Sequence, residues 1–127
     1  MNFLIILNDA PYGNERPYNA LRLALQLQKE FSGNAHSNDA KNDINLCVFL
    51  MGDAVGCAVP SQETPTGYYN IERMLKIFQR NGGKIKICGT CAEARGLKNV
   101  QWMEGAEMSN LSELTKLTVE SEKVFTF

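Results

Sequence analysis

The sequence predicts a single α/β domain of three layers, with helices on both faces of a five-stranded parallel sheet. Apolar runs typical of strands alternate along the chain with segments of helical periodicity, and this alternation indicates parallel strands joined by helices. The runs NFLIIL and LCVFLM are apolar almost throughout, as expected of strands buried on both faces. With 127 residues and 44 % hydrophobic content, the chain is long and apolar enough to form one buried core.

The first half of the chain contains two of the predicted strands. NFLIIL forms the first strand and ends at Asn8. Pro17 suits the first turn of the next helix, over residues 16–31, because the N–H that proline lacks is unpaired in that turn anyway. The wide apolar face of this helix is expected to cover the sheet and to leave a surplus that contacts another subunit. Residues 32–45 are polar and predict a long loop containing His36, the only histidine, and LCVFLM follows as the second strand.

The second half supplies the remaining elements. YYNIERMLKIFQRN predicts a helix that two glycines end, and KIKIC predicts the third strand. TCAEARGL predicts a short helix that ends at Gly96. VQWME predicts the fourth strand, SNLSELTKLTVESE a helix capped by Ser109 or Asn110, and KVFTF the fifth strand. The resulting order, β-α-β-α-β-α-β-α-β, requires right-handed crossovers between parallel strands.

Charge and composition exclude several classes of function. A net charge of −1, from 13 basic and 14 acidic residues, argues against a nucleic-acid-binding surface. No apolar run approaches the roughly 20 residues that span a bilayer, so no membrane partner is expected. The first residues lack the basic leader and the apolar length of a signal peptide. We therefore expect a cytoplasmic protein, in which the four cysteines do not form two structural disulfides.

The segments that follow the strands are where chemistry is expected. In open parallel sheets, ligands and reactive groups gather at the carboxyl ends of the strands. The segment after the first strand contributes Tyr12 and Gly13, and the loop after the second contributes Cys57. These segments are expected to form a rim at the carboxyl edge of the sheet, and Cys57 is either a member of this rim or an incidental loop cysteine. Cys47, inside a strand, is expected in the core.

The segment KIKICGTCAEARGL contains the main candidate for a reactive group. Cys88 closes the third strand, and Gly89 lets the chain turn. Thr90 is expected to cap the helix, which would put Cys91 in its first turn, and Arg95 lies one turn further on. A helix start and a nearby cation lower a thiol pKa, so this pattern favours a nucleophilic cysteine. The alternative is that each cysteine is a small buried apolar residue.

Two further interpretations of the CxxC pair remain open to different degrees. A structural zinc site usually has four ligands, commonly two such pairs, and one pair is present, so no metal is expected. A redox-active disulfide between Cys88 and Cys91 ranks above zinc, because thiols three residues apart at a helix start can bond. The segment NDAPYGNE lacks both GxGxxG and the GK[ST] lysine, so no nucleotide or other cofactor is predicted.

Several segments together resemble the DsrE/DsrF-like family, in particular its YchN-like branch. They are NDAPYGNERPYNALRLALQL, VFLMGDAV, GYYNIERML and KICGTCAEARGL. The resemblance covers residues 1–127 as one domain, with a polar loop insertion at about 32–44. It implies a three-layer fold and ring-like homo-oligomers, typically hexamers built from trimers. It also implies that Cys88 matches the persulfide-carrying cysteine of sulfur-relay members, and that Cys91 is a second carrier or a resolving thiol.

Three hypotheses about function follow. The first is a sulfur carrier or sulfurtransferase subunit, in which Cys88 accepts sulfane sulfur from a donor protein and passes it to an acceptor thiol. The second is a non-catalytic oligomeric module that binds a small ligand or a protein. The third is a redox switch that uses a Cys88–Cys91 disulfide. The resemblance by itself does not establish that the protein is an enzyme, since one fold hosts many functions.

Overall fold

The computed structural model describes residues 1–32 and 43–127, so His36 and all but the ends of the predicted insertion at about 32–44 fall outside the described residues. Within the described part, strands and helices alternate in the predicted order, and a 3₁₀ helix follows the second strand. In chain order the elements are β1 (Asn2–Leu7), α1 (Arg16–Phe31), β2 (Asn45–Leu50), the 3₁₀ helix (Gly52–Ala58), α2 (Ile71–Arg80), β3 (Lys84–Cys88), α3 (Gly89–Ala94), β4 (Ala106–Ser109), α4 (Leu111–Glu120) and β5 (Lys123–Thr126).

The five strands form one parallel sheet in the order β4-β3-β2-β1-β5. From β1 to β4, each strand lies beside the previous one in the same direction across the sheet. The last strand, β5, lies on the opposite side of β1. Because crossovers between parallel strands are right-handed, this change of direction puts α1, α2 and α3 on one face and α4 on the other. The predicted three-layer arrangement and the single domain of described residues are confirmed.

The core lies on the three central strands. Leu4, Ile5, Val48, Phe49 and Ile87 are fully buried, as the continuous apolar runs predicted. The residues of β4 and β5, by contrast, are mostly exposed or half-buried, because these strands are the two edges of the sheet. The carboxyl ends of β1, β2 and β3 therefore lie side by side at one edge of a buried core.

The predicted position of the fourth strand, residues 100–104, is wrong. The strand begins at Ala106 instead, after a turn at Gly105. Residues 100–103 form a loop in which the Met103 N–H donates to the carbonyl oxygen of Ala58 at 3.0 Å and the Met103 side chain is 3 % exposed. The apolar residues of this segment thus pack into the core from a loop, which imitates the pattern of a strand.

Helix ends largely follow the predicted capping. Pro17 lies in the first turn of α1 and is buried. The side chain of Asn110 accepts from the Glu113 N–H at 2.9 Å, so Asn110, not Ser109, caps α4. Gly96 follows α3 with a φ of 72°, a left-handed conformation that glycine adopts without strain. On α1 the apolar surplus includes Phe31, which is 41 % exposed.

Candidate functional site

Segments from β1, β2 and β3 meet at the carboxyl edge of the sheet, as predicted. The Met51 N–H donates to the carbonyl oxygen of Leu7 at 2.8 Å, which joins the ends of β2 and β1. A Cβ placed on Gly52 would lie 3.6 Å from both the Asn8 carbonyl oxygen and the Arg95 guanidinium. The loop after β1, the start of the 3₁₀ helix and the end of α3 are therefore neighbours at one rim.

The cysteine turn, which we define as residues 88–91, connects β3 to α3. Cys88 is both the last residue of β3 and the N-cap of α3, since its Sγ accepts the N–H of Cys91 at 3.4 Å. The expectation that Thr90 caps the helix is wrong, because α3 begins at Gly89, two residues before the start that a Thr90 cap implies. The Thr90 hydroxyl lies 3.5 Å from the Cys88 Sγ, so a hydroxyl stands beside this sulfur within the turn.

The structure joins Cys88 to Cys91 by a disulfide. Their Cα atoms are 5.3 Å apart, within the range that an unstrained bridge requires. Cys88 is only 6 % exposed, whereas Cys91 is half-buried and lies nearer the surface. Between them, a Cβ on Gly89 would approach the carbonyl oxygen of Ser109 to 3.3 Å, so a small residue lets β3 turn beside β4.

Arg95 holds the cysteine turn from the far end of α3. Its Nη1 donates to the carbonyl oxygen of Cys91 at 3.1 Å, and its Nε donates to Asp53 Oδ1 at 2.8 Å. The side chain folds back along α3, and its bonds reach the backbone of the turn and the Asp53 side chain on the 3₁₀ helix. Arg95 is thus a positioning residue. Asp53 is a partner that sequence reasoning missed, although an acidic residue directly after a strand end was a usable signal.

Tyr12 lies at the same edge but contacts the start of α2. Its hydroxyl donates to Gln62 Oε1 at 2.5 Å and accepts the N–H of Ile71 at 3.1 Å. Burial raises the pKa of Tyr12 above its ordinary value. Gln62, also missed from the sequence, donates from Nε2 to the carbonyl oxygens of Cys57 and Val59, both at 2.9 Å. Tyr12 therefore braces the rim.

Gly13 is exposed next to Tyr12, and a Cβ added there would meet nothing within 4 Å. This open position makes Gly13 part of the accessible surface of the rim and not of its packing. A side chain at this position would extend into solvent.

The two remaining cysteines are core residues. Cys57 is fully buried, its Sγ lies 3.8 Å from the Asp9 carbonyl oxygen, and burial raises the pKa of its thiol to about 12. Cys47 is buried beside α4, and burial raises its pKa to about 11. The prediction that Cys47 is a core residue is confirmed. At neutral pH both thiols are protonated, and a protonated thiol is a poor nucleophile.

Across residues 1–32 and 43–127, no three or more His, Cys, Asp or Glu side chains come together in a way that could hold a metal ion. In the same residues, every helix is too short or too polar to cross a membrane.

The sequence profile of the DsrE/DsrF-like family matches residues 1–127. The chain belongs to the DsrE/DsrF-like family. It is 36 % identical to Protein YchN of Escherichia coli K12 over 124 residues, which are 98 % of this chain and 97 % of YchN. It is 35 % identical to protein MJ0989 of Methanocaldococcus jannaschii over 127 residues, the full length of both.

The fold of this DsrE/DsrF-like chain agrees with an experimental structure. The crystal structure of the ychN protein from E. coli superposes with a TM-score of 0.86 at 36 % identity, covering 100 % of this chain and 99 % of that one. The sequence relatives and this structure together confirm the resemblance to the YchN-like branch of the DsrE/DsrF-like family.

Proposed function

We propose that the protein is a sulfur carrier of the sulfur-relay type. The Cys88 thiolate attacks the terminal sulfur of a donor persulfide, which forms a Cys88 persulfide and releases the donor as a thiolate. An acceptor thiolate then attacks the outer sulfur of that persulfide and takes it, which restores the Cys88 thiolate. The donor and the acceptor are thiol-bearing partner proteins, and neither step needs a cofactor.

The observation that carries this proposal is the position of the Cys88 Sγ. It stands at the carboxyl end of a central strand and accepts the N–H of Cys91 at 3.4 Å, beside the Thr90 hydroxyl at 3.5 Å. Hydrogen bonds to sulfur favour its anionic form, which is the attacking form of a thiol and the form in which it leaves after transfer. Burial raises the pKa of the Cys47 and Cys57 thiols to about 11 and about 12, so neither of these two cysteines is an alternative carrier at neutral pH.

The test is to load the protein with a persulfide and weigh the intact chain. A Cys91→Ser variant is treated with glutathione persulfide, because in this variant Cys88 lacks the thiol to which it bonds. We expect a gain of one sulfur mass. The double variant Cys88→Ser, Cys91→Ser is the matched control and should gain none. If the double variant gains sulfur as readily, the carrier role of Cys88 is wrong.

The disulfide favours a second candidate function, a redox switch. Closing the Cys88–Cys91 bond removes both thiols and immobilises the turn that Arg95 holds. The measurement that decides is the reduction potential of the pair in a glutathione buffer. A switch requires a potential near that of the cytosol, whereas a value below about −300 mV would mark a permanently closed structural bond.

Assembly and compartment belong to the same proposal. We propose a homo-oligomer, a hexamer as the family resemblance implies, supported by apolar side chains that stand exposed on α4: Leu111 is 69 % and Val119 81 % exposed. We also propose a cytoplasmic location, since the carrier cycle requires reduced thiols. Light scattering coupled to size exclusion measures the assembly, and a monomer at micromolar concentration would contradict it.

A further inference from the structure

The Cys91 sulfur lies next to the Cys88 Sγ. A thiolate of the same chain that attacks this atom would cleave a persulfide carried on Cys88. The disulfide joins the sulfurs of these two residues, and their Cα atoms are 5.3 Å apart. The sulfur that Cys91 contacts is the Sγ of Cys88, which would be the inner sulfur of a Cys88 persulfide. Attack at an inner sulfur expels the outer one, whereas attack at an outer sulfur transfers it.

We propose that Cys91 discharges the Cys88 persulfide within the chain and releases the carried sulfur as hydrosulfide. This inference rests on the proposed carrier function and gives it a second activity, the release of sulfide from persulfides. Transfer to an acceptor protein and release as hydrosulfide then compete for the same intermediate. The competition is decided by whether an acceptor thiol reaches the outer sulfur before Cys91 reaches the inner one.

The step balances without an added oxidant. The Cys91 thiolate forms a bond to the Cys88 Sγ, the bond from that Sγ to the outer sulfur breaks, and the electron pair of the broken bond leaves on HS⁻. The outer sulfur is thereby reduced to sulfide, and the two cysteine sulfurs are oxidised to the disulfide. A dithiol reductant then returns both cysteines to thiols, with two electrons and two protons, before another persulfide is accepted.

The two cysteines differ in how far their side chains are exposed to solvent, and we expect them to act differently. Cys88 is 6 % exposed, while Cys91 is half-buried and lies outside it. In the disulfide the Cys91 sulfur is bonded to the Cys88 Sγ, so Cys88 accepts no persulfide until this bond is reduced. Once the bond is reduced, rotation of the Cys91 side chain about its Cα–Cβ bond opens the path to Cys88, and rotation back brings the attacking sulfur into place.

Arg95 keeps the two sulfurs close to each other, because its Nη1 donates a hydrogen bond of 3.1 Å to the Cys91 carbonyl oxygen and so fixes the backbone of the turn. Holding two reacting groups in this way makes the step intramolecular, with effective concentrations far above those of any free thiol.

The experiment measures sulfide and the mass of the intact chain in parallel. Fully reduced wild type, Cys91→Ser and Cys47→Ala are each mixed with glutathione persulfide in thiol-free buffer. Wild type and the Cys47→Ala control should release one sulfide per chain and end two hydrogen masses lighter, as the disulfide. Cys91→Ser should keep one added sulfur mass and release sulfide at least about a hundredfold more slowly, because its persulfide has no neighbouring thiolate.

The outcomes separate this inference from the function on which it rests. If wild type keeps the added sulfur as firmly as Cys91→Ser does, discharge by Cys91 is wrong and the carrier function stands. If Cys91→Ser takes up no sulfur at all, the carrier function itself is wrong. A Cys91→Ala variant repeats the measurement without a hydroxyl, so that a failure of the serine variant to fold does not decide the result.

Discussion

The Nε of Arg95 donates to Asp53 Oδ1 at 2.8 Å, across 42 residues of sequence. This ion pair ties α3, which follows the cysteine turn, to the 3₁₀ helix that follows β2. The Arg95 side chain is 37 % and the Asp53 side chain 67 % exposed, so water screens their attraction. The pair therefore matters more for where it holds the turn than for how much it stabilises the fold.

We predict that Arg95→Ala makes the Cys88–Cys91 disulfide easier to reduce. Without Arg95 the Cys91 carbonyl loses its donor, the turn samples more conformations, and the two thiols meet less often. A tenfold loss in the equilibrium for closing the bond would raise its reduction potential by about 30 mV. The free energy of unfolding should change by less than about 1 kcal/mol, because the ion pair is exposed. Equilibration with glutathione and urea unfolding measure the two quantities.

Two further variants test how Arg95 acts. Asp53→Asn removes the charge partner but leaves the bond to the Cys91 carbonyl, so its potential should lie between those of wild type and Arg95→Ala. Arg73→Ala removes an exposed arginine from α2 and should leave the potential unchanged. Equal potentials in wild type and Arg95→Ala would contradict the positioning role.

The four cysteines are predicted to react in two classes. After reduction, iodoacetamide at neutral pH should label the cysteine turn and spare Cys47 and Cys57. Burial raises the pKa of Cys57 from 9.0 to about 12, so its thiolate fraction at neutral pH is about a thousandfold below that of an ordinary thiol. Mass spectrometry of the labelled chain counts the modified sites, and in denaturant all four should react. Rapid native labelling of the double variant Cys88→Ser, Cys91→Ser would show that this division is wrong.

Tyr12→Phe is predicted to destabilise the fold by about 1 kcal/mol. The Tyr12 hydroxyl bonds both to Gln62 Oε1 and to the N–H of Ile71. Removing it leaves the Ile71 N–H at the start of α2 and the Gln62 side-chain oxygen with one hydrogen-bond partner fewer each. Urea unfolding measures the change. The control is Tyr18→Phe, which keeps the ring that stacks on Tyr69 and should change the free energy by less than about 0.5 kcal/mol. An equal loss in the two variants would contradict this bracing role.

Strands that are buried in the structure were predicted from the sequence, whereas an exposed edge strand was misplaced. The strands β1, β2 and β3 were predicted because they are central, so that NFLIIL, LCVFLM and KIKIC show the apolar residues that a buried sheet requires. β4, with the sequence AEMS, is an edge strand whose side chains are mostly exposed, and nothing in its pattern distinguishes it from a loop. The nearby VQWME has the apolar residues Val100, Trp102 and Met103 and was predicted as the strand, yet Met103 is buried from a loop.

The candidate site shows the same division between local and distant information. That Cys88 ends a strand and begins a helix is a local property, so the sequence predicted its position. The choice between Cys88 and Thr90 as the cap depended on a shift of two residues in the helix start, which propensities do not resolve. The partnership of Arg95 with Asp53 depends on β2 and β3 being neighbours, and their side-chain geometry appears only in three dimensions.

Lys86 is predicted to make the free energy of unfolding depend on pH. Its Nζ lies 2.9 Å from Glu113 and 3.3 Å from Glu107, and the ion pair with Lys86 holds the pKa of Glu113 below its ordinary value of 4.5. A carboxyl whose folded-state pKa is lowered stabilises the fold above its unfolded pKa, and this stability is lost as the pH falls through the folded value. Lys86→Met should therefore reduce the free energy of unfolding by about 0.5–1 kcal/mol at neutral pH, because two carboxylates that water partly screens lose their shared cation. The difference from wild type should shrink in acid, where Glu113 is protonated and no longer attracts Lys86. Urea unfolding at neutral pH and well below pH 4.5 measures it, with Lys116→Met as the exposed control, expected to change stability by less than about 0.5 kcal/mol. A difference between wild type and Lys86→Met that is the same at both pH values would show that packing, and not charge, is what Lys86 contributes.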